Sequence, residues 1–98
     1  MTLEITQYAI DHLVNSIEFT MKDADVSKKE KVIDEVLEGV QFLLGHSRAG
    51  QVELRRSDGM EYRRWVVEHF KIIYRIDGER IIVTDLFDSR QDPRNIKI

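Results

Sequence analysis

The first half of the chain alternates between apolar and polar residues at the spacing of amphipathic helices. Apolar side chains recur every three or four positions over residues 9–21, and Thr6 stands just before them, where its hydroxyl can cap a helix. A second series covers residues 32–44 and is followed by Gly45, which favours termination there. The polar segment 22–26 between the two series is short. The pattern therefore predicts two helices joined as an antiparallel hairpin.

Two details of the second helix can be predicted from single residues. Ser27 is followed three positions later by Glu30, which is the spacing of a capping box, so the helix is predicted to begin there. Gly39 lies inside the helix, where glycine is less favourable than alanine. We expect this glycine to permit a close approach of the helix to another element.

In the second half of the chain the apolar period changes to two, which is typical of strands. Three runs rich in β-branched and aromatic residues have this pattern: Tyr62–Val67, Phe70–Ile76 and Arg80–Phe87. Asp77-Gly78 between the last two runs predicts a two-residue hairpin turn, and Glu68-His69 predicts a turn between the first two. With a short alternating stretch at residues 3–5, the order becomes β-α-α-β-β-β. This order predicts an α+β fold in which an N-terminal strand and a helical hairpin precede a three-stranded antiparallel sheet.

The strand register follows if both turns contain two residues. Trp65 then lies opposite Ile72, and Tyr74 lies opposite Ile81. Because the side chains of a strand point alternately to the two faces, this register divides the sheet residues into two sets. The set that must pack on the helices is the apolar one: Trp65, Val67, Phe70, Ile72, Tyr74, Ile76, Ile81, Val83 and Phe87.

The opposite face of the predicted sheet, called the outer face below, is cationic. Its residues are Tyr62, Arg64, Val66, Lys71, Ile73, Arg75, Arg80, Ile82 and Thr84. Four cations and no carboxylate surround a small apolar centre at Ile73 and Ile82. One interpretation is a simple solvated face, since one-sided sheets commonly carry long cations there. The other, which we favour because the charge bias exceeds what solubility needs, is a binding surface for an anion or an acidic partner.

Composition and charge narrow the class of protein. The 98 residues fit a single domain, and the absence of cysteine excludes disulfides and thiolate metal sites. Residues 1–47 hold nine acids against four lysines, whereas residues 48–98 hold eleven basic residues against nine acids, for a net charge of -3. This is not the strongly basic composition of a general nucleic-acid binder. No apolar run approaches the roughly 20 residues of a membrane span, so we expect a cytoplasmic protein without a membrane partner.

Residues with potential for chemistry are few. His12, His46 and His69 share no metal-ligand spacing. The sequence has no glycine-rich phosphate loop and no nucleophile motif. No metal and no cofactor are therefore predicted.

The remaining route to catalysis is centred on arginine. Arg64, Arg75 and Arg90, with Tyr62 nearby, could hold a phosphodiester and stabilise added negative charge. Arginine stays protonated, however, and the acid–base groups on the outer face are Tyr62 and Lys71. Binding is therefore better supported than catalysis.

The last predicted strand runs into residues 85–95, DLFDSRQDPRN, which contain the single proline of the chain. Pro93 cannot continue a strand ladder and restricts the residue before it, so strand termination explains its presence. Arg90 follows the strand end, and we expect it to reach toward the edge that carries Arg64 and Arg75.

Several of these segments together resemble the RelE/ParE superfamily of type II toxin–antitoxin toxins. That family combines an arginine-bearing strand, a strand of the form Y-x-I-x-Y-R-I, a hairpin and a tail like H-x-R-R-D-P. The corresponding segments here are Arg63-Arg64, FKIIYRI at 70–76, Asp77-Gly78 and DSRQDP at 88–93. The opening ITQYAIDHL at 5–13 is also similar to the family's start. The resemblance covers nearly the whole chain and implies one toxin domain over residues 1–98.

The resemblance implies one of two targets. RelE-type toxins are ribosome-dependent endonucleases that cut mRNA, whereas ParE-type toxins keep the fold and inhibit DNA gyrase. A nuclease site here would use Arg64, Arg90, Tyr62 and Lys71, but the tail has no tyrosine, and Asp88 stands where the family often has histidine. We therefore favour gyrase inhibition. The alternatives are a RelE-like endonuclease that acts on mRNA at the ribosome and a non-toxic interaction domain with the same fold.

Either toxin implies a cognate antitoxin as partner. Such antitoxins commonly carry a disordered segment that folds across the toxin and covers its cationic surface. The expected partner-binding residues are Arg64, Lys71, Ile73, Arg75, Arg80, Ile82 and Arg90.

Overall fold

The computed structural model describes residues 1–96, and within them two helices pack on one five-stranded sheet. The elements are β1 (Thr2–Ile5), α1 (Gln7–Thr20), α2 (Val26–Gly45), β2 (Gln51–Arg55), β3 (Glu61–Val67), β4 (Phe70–Asp77), β5 (Arg80–Asp88) and a short 3-10 turn (Pro93–Asn95). In the part of the chain described, neither helix is both long enough and apolar enough to cross a lipid bilayer.

Both helices begin at residues whose side chains satisfy a free backbone amide. The Thr6 hydroxyl accepts from the amide of Ala9 at 3.1 Å, which confirms the predicted cap of α1. The predicted capping box at Ser27 is wrong, because the Asp25 carboxylate caps α2 one residue before Val26 and accepts from the Lys28 amide at 2.9 Å. Aspartate is as good a cap as serine, and this one comes first along the chain.

The sheet has the order β1-β5-β4-β3-β2, so two strands flank the three that the sequence pattern predicts. The predicted α+β class is confirmed, with five strands rather than three. At one edge β1 runs parallel to β5, with Leu3 beside Ile81. At the other edge β2 pairs antiparallel with β3, in a region where the apolar pattern along the sequence is irregular. β2 has five residues and a register shift between Val52 and Leu54, so its side chains do not alternate regularly along the sequence.

The register of β3 against β4 is as predicted, with Trp65 opposite Ile72 across the turn at Glu68 and His69. Glu68 has a positive φ of 54°, a conformation that glycine usually supplies at the first position of such a turn.

The predicted turn at Asp77-Gly78 is displaced by one residue in the structure. The two loop residues are Gly78 and Glu79, Gly78 has φ of 60°, and Asp77 joins β4 opposite Arg80. Tyr74 therefore lies opposite Val83 and not Ile81. Because this changes the pairing by two residues, which is one full strand period, each side chain keeps its predicted face up to Val83.

Beyond Val83 the faces of β5 are reversed by a β-bulge. Tyr74 pairs with Val83 but Ile73 pairs with Asp85, so Thr84 is an extra residue on β5. Leu86 consequently joins the cluster that packs on the helices. The prediction that Phe87 belongs to that cluster is wrong: Phe87 is fully buried, but on the opposite side of the strand.

Tyr74 anchors the connection between α2 and β2 to the core. Its ring is fully buried, its hydroxyl donates to the carbonyl of Ser47 at 2.7 Å, and the amide of Gly50 donates to the same hydroxyl at 3.0 Å. Burial raises the pKa of Tyr74, although the Gly50 amide and the charge of Arg63 act against that shift. These two hydrogen bonds satisfy backbone groups that α2 and β2 leave free.

Gly39 allows α2 to approach β3 closely, as expected from its position in the sequence. A methyl group added at Gly39 would overlap the side chain of Val67 and press on Ile72, while a methyl group at Gly45 would meet nothing within 4 Å. The close approach therefore depends on the missing side chain at Gly39 alone.

We predict that Gly39→Ala lowers the free energy of unfolding by about 1 kcal/mol. Overpacking typically costs about 1–3 kcal/mol, which exceeds the roughly 1 kcal/mol that alanine gains over glycine in a helix. Urea unfolding of the variant and of Gly45→Ala as matched control measures the difference. An equal gain in stability in both variants would contradict the close packing at Gly39.

Candidate partner-binding surface

The cations of the outer face are held in ion pairs. Arg64 and Lys71 both contact Glu53 on β2, and the Lys71 ammonium lies 3.5 Å from its carboxylate. Arg75 lies 3.5 Å from Asp77. Each of these three cations therefore has a carboxylate beside it.

Arg80 completes the row with two carboxylate contacts, to Asp77 at 2.8 Å and to Glu4 on β1 at 3.1 Å. These contacts correct the prediction of four cations without a carboxylate. Glu4 and Glu53 come from the two edge strands that were not predicted in the sheet, and the bulge on β5 turns Asp85 toward the same face. The outer face therefore carries nearly equal numbers of both signs.

The predicted apolar centre of the outer face is not accessible. Ile73 is fully buried and Ile82 is 7% exposed, and Tyr62, which the pattern places beside them, is 4% exposed. Val66 is the apolar side chain of this face that does reach solvent, at 54% exposure. A partner would therefore meet charged side chains lying over buried apolar ones.

Arg90 does not reach Arg64 or Arg75, so that prediction is wrong. Its guanidinium donates to both oxygens of Asp88, at 3.0 and 2.7 Å, and its own amide donates to the same carboxylate at 2.9 Å. It lines a cleft of about 460 Å³ with residues from α1, α2 and the β3–β4 turn, among them Met21 and Phe70. The segment around Arg90 thus lies at the helical hairpin and not at the outer face.

Asp88 is fully buried, and its charge is maintained by its neighbours. Burial alone would raise its pKa, but the hydrogen bonds and positive charge of Arg90, with a smaller contribution from His69, hold the pKa of Asp88 below its ordinary value.

Asp92 and Arg94 have the same two-residue spacing as Asp88 and Arg90 but lie in an exposed position, with contacts of 2.5–3.1 Å. The hydrogen bonds to Arg94 also lower the pKa of Asp92.

A second set of contacts ties the tail to α1. The His12 ring lies 2.7 Å from the buried carboxylate of Asp85 and 3.2 Å from the amide oxygen of Gln91. The Gln91 amide nitrogen donates to the hydroxyl of Ser16 at 3.3 Å. His12 has no partner within its own part of the sequence that could have suggested this role, because Asp85 and Gln91 lie more than 70 residues away.

The other histidines have structural surroundings. His46 caps the end of α2 and stacks on Phe42 at 4.1 Å between ring centroids. His69 lies in the β3–β4 turn, where its carbonyl accepts from the amide of Ser89. Within residues 1–96 no group of three His, Asp or Glu side chains is arranged to hold a metal ion.

Comparison with known families identifies the chain. The family described as the ParE toxin of the type II toxin–antitoxin system parDE matches residues 3–93. The chain belongs to the ParE toxin family.

A solved structure supports the same fold. It is described as the chromosomal ParDE TA system from P. aeruginosa, and it shares 20% sequence identity with this ParE-family chain at a TM-score of 0.74. The alignment covers 90% of the chain and 95% of the other. No curated protein sequence matches significantly.

We predict that Arg90→Gln destabilises the toxin by about 1 kcal/mol at neutral pH, which is below the roughly 1.5–3 kcal/mol of a hydrogen bond to a charged group because Arg90 is half-exposed. The lowered pKa of Asp88 stabilises the fold above the ordinary range for aspartate, and this contribution is lost as pH falls through the folded-state pKa. The difference in melting temperature between wild type and variant should therefore shrink below about pH 4.

Arg94→Gln is the matched control, since it removes the same contact from an exposed carboxylate. It should change the melting temperature little at any pH. A pH-independent difference for Arg90→Gln, or an equal effect of both variants, would contradict the role of Asp88.

Proposed function

We propose that this ParE-family toxin acts by binding and inhibiting DNA gyrase in the cytoplasm, and that a cognate antitoxin holds it inactive. The family match over residues 3–93 carries the proposal. The resemblance to ParE-type toxins implies gyrase as the target, and membership in a toxin–antitoxin family implies the antitoxin.

The alternative, ribosome-dependent cleavage of mRNA, is less well supported by the geometry. Of the four nuclease candidates, Tyr62 is buried, and Arg64 and Lys71 share the carboxylate of Glu53. Arg90 lies in the cleft at the helical hairpin. In-line cleavage needs groups that remove and supply a proton around one phosphate, and none of the other three candidates lines the cleft that holds Arg90.

The antitoxin contact is proposed for the outer face. Arg64, Lys71, Arg75 and Arg80 already hold carboxylates there, so carboxylates of an acidic partner segment can replace Glu53 and Asp77 as counter-ions. Such an exchange keeps each cation paired before and after binding, which limits the desolvation cost. Ile73 and Ile82 would support this surface from below, and Arg90 would form a separate contact at the hairpin.

Expression in a bacterium tests the target. We expect gyrase-dependent DNA breaks and loss of supercoiling while protein synthesis continues, and inhibition of purified gyrase by the purified chain. Tyr62→Phe should keep full toxicity, because the Tyr62 side chain is almost fully buried and offers gyrase little contact. Early loss of translation with intact DNA, abolished by Tyr62→Phe, would instead establish the nuclease. A folded chain without any effect on growth would establish an interaction domain.

Arg75→Ala tests the antitoxin surface. The Arg75–Asp77 pair is partly exposed, so its loss should change the free energy of unfolding by less than about 1 kcal/mol. Binding to the antitoxin from the neighbouring reading frame should weaken measurably in calorimetry. Arg94→Ala, which removes an exposed pair with Asp92 in the tail and away from the outer face, is the control and should bind normally. Equal binding by both variants, or unfolding of Arg75→Ala, would contradict the proposed surface.

A further inference from the structure

A groove lies between the edge strand β1 and helix α2, on the side of the sheet opposite to the outer face. Its floor is apolar and contains Leu3, Ile5, Leu37 and Val40. Its volume is about 410 Å³, which falls within the roughly 300–1,000 Å³ of ordinary small-molecule pockets. The groove is therefore large enough to accept side chains of a partner.

The apolar floor extends along α2 beyond the groove itself. Leu37, Gln41 and Leu44 are spaced at four and three residues and so follow one side of the helix. Leu37 is 38% exposed and Leu44 is 37% exposed, although both are large aliphatic side chains. This side of α2 thus leaves two leucines partly uncovered in the part of the chain described.

The charge of the groove has one sign. Asp34, Glu38 and Gln41 are its polar lining residues, and no lysine or arginine of the described residues 1–96 lines it. Among residues 1–96, Asp34 and Glu38 form no ion pair within 4 Å, in contrast to the paired carboxylates of the outer face. The surrounding half of the sequence is also acidic, with nine acids against four lysines over residues 1–47. Charge complementarity therefore favours a basic occupant.

The backbone of β1 fixes the conformation that an occupant would adopt. The amide of Thr2 donates to the carbonyl of Glu79, and the amide of Thr6 donates to the carbonyl of Val83. The even-numbered residues of β1 therefore direct their backbone N–H and C=O groups to β5. Leu3 and Ile5 consequently direct their backbone N–H and C=O groups to the free edge of the sheet. An extended segment can pair with that edge as a sixth strand and place alternate side chains over the groove.

We propose that the groove and the free edge of β1 bind an extended segment of a partner protein in which apolar residues alternate with lysine or arginine. The apolar side chains pack on the exposed Leu37 and the partly exposed Leu3 and Ile5, and the cations pair with Asp34 and Glu38. This surface is separate from the outer face, whose cations and carboxylates are paired with each other, so it serves a second partner contact whatever the toxin's target.

The test uses the full chain and the peptide acetyl-Lys-Val-Lys-Ile-Lys-Val-amide. Titration followed by two-dimensional NMR should shift the amide signals of Leu3, Ile5, Leu37 and Gln41, and the bound peptide should slow hydrogen exchange at Leu3 and Ile5. The acidic peptide acetyl-Glu-Val-Glu-Ile-Glu-Val-amide should leave these signals unchanged. Equal shifts with both peptides, or shifts confined to the outer face, would overturn the proposal.

Charge variants separate the groove from general attraction to an acidic protein. The double variant Asp34→Asn with Glu38→Gln should weaken binding of the basic peptide roughly two- to thirtyfold, the range for two partly exposed ion pairs. Asp23→Asn with Glu30→Gln removes the same charge from exposed positions outside the groove and should bind as wild type. Unchanged exchange at Leu3 and Ile5, or equal weakening by both double variants, would overturn the proposal.

Discussion

The extra residue at Thr84 is the constraint on which the rest of the structure depends. It reverses the faces of β5 after Val83, so that Leu86 enters the helix-packed core while Asp85 points to the other side. On that side of the strand, the ring of His12 from α1 contacts the Asp85 carboxylate. A regular strand would leave the carboxylate inside an apolar core, where an unpaired charge is unfavourable. The bulge therefore fixes both the packing of α1 and the direction of the tail.

The electrostatic character of the outer face is decided by the edge strands. β1 contributes Glu4 and β2 contributes Glu53, and each lies beside cations of the central strands. Because its charges are already paired, this surface attracts anions only weakly. It can still discriminate between partners, since a partner binds well only if its own carboxylates can replace the counter-ions. On the opposite side of the sheet Asp34 and Glu38 remain unpaired within the described residues, so the toxin presents two surfaces of different charge.

The tail shows how the same short pattern has different effects in different surroundings. Asp88 with Arg90 and Asp92 with Arg94 have the same spacing and similar hydrogen bonds. Asp88 is buried, whereas Arg94 is almost entirely exposed. A hydrogen bond to a charge contributes to stability chiefly where water is excluded, so only the first pair holds the tail in place. Gln91, between the two, adds the contact to α1.

The sequence by itself determined the two helices, the three central strands and the family, because these depend on the period of apolar residues and on short local motifs. It also located Gly39 correctly as a point of close packing. It did not determine the bulge at Thr84, the edge strand β2 or the position of Arg90, and it assigned an exposed apolar centre to Ile73 and Ile82. Those features arise from pairing between distant residues, and only the tertiary structure brings the counter-ions and the burial that decide them.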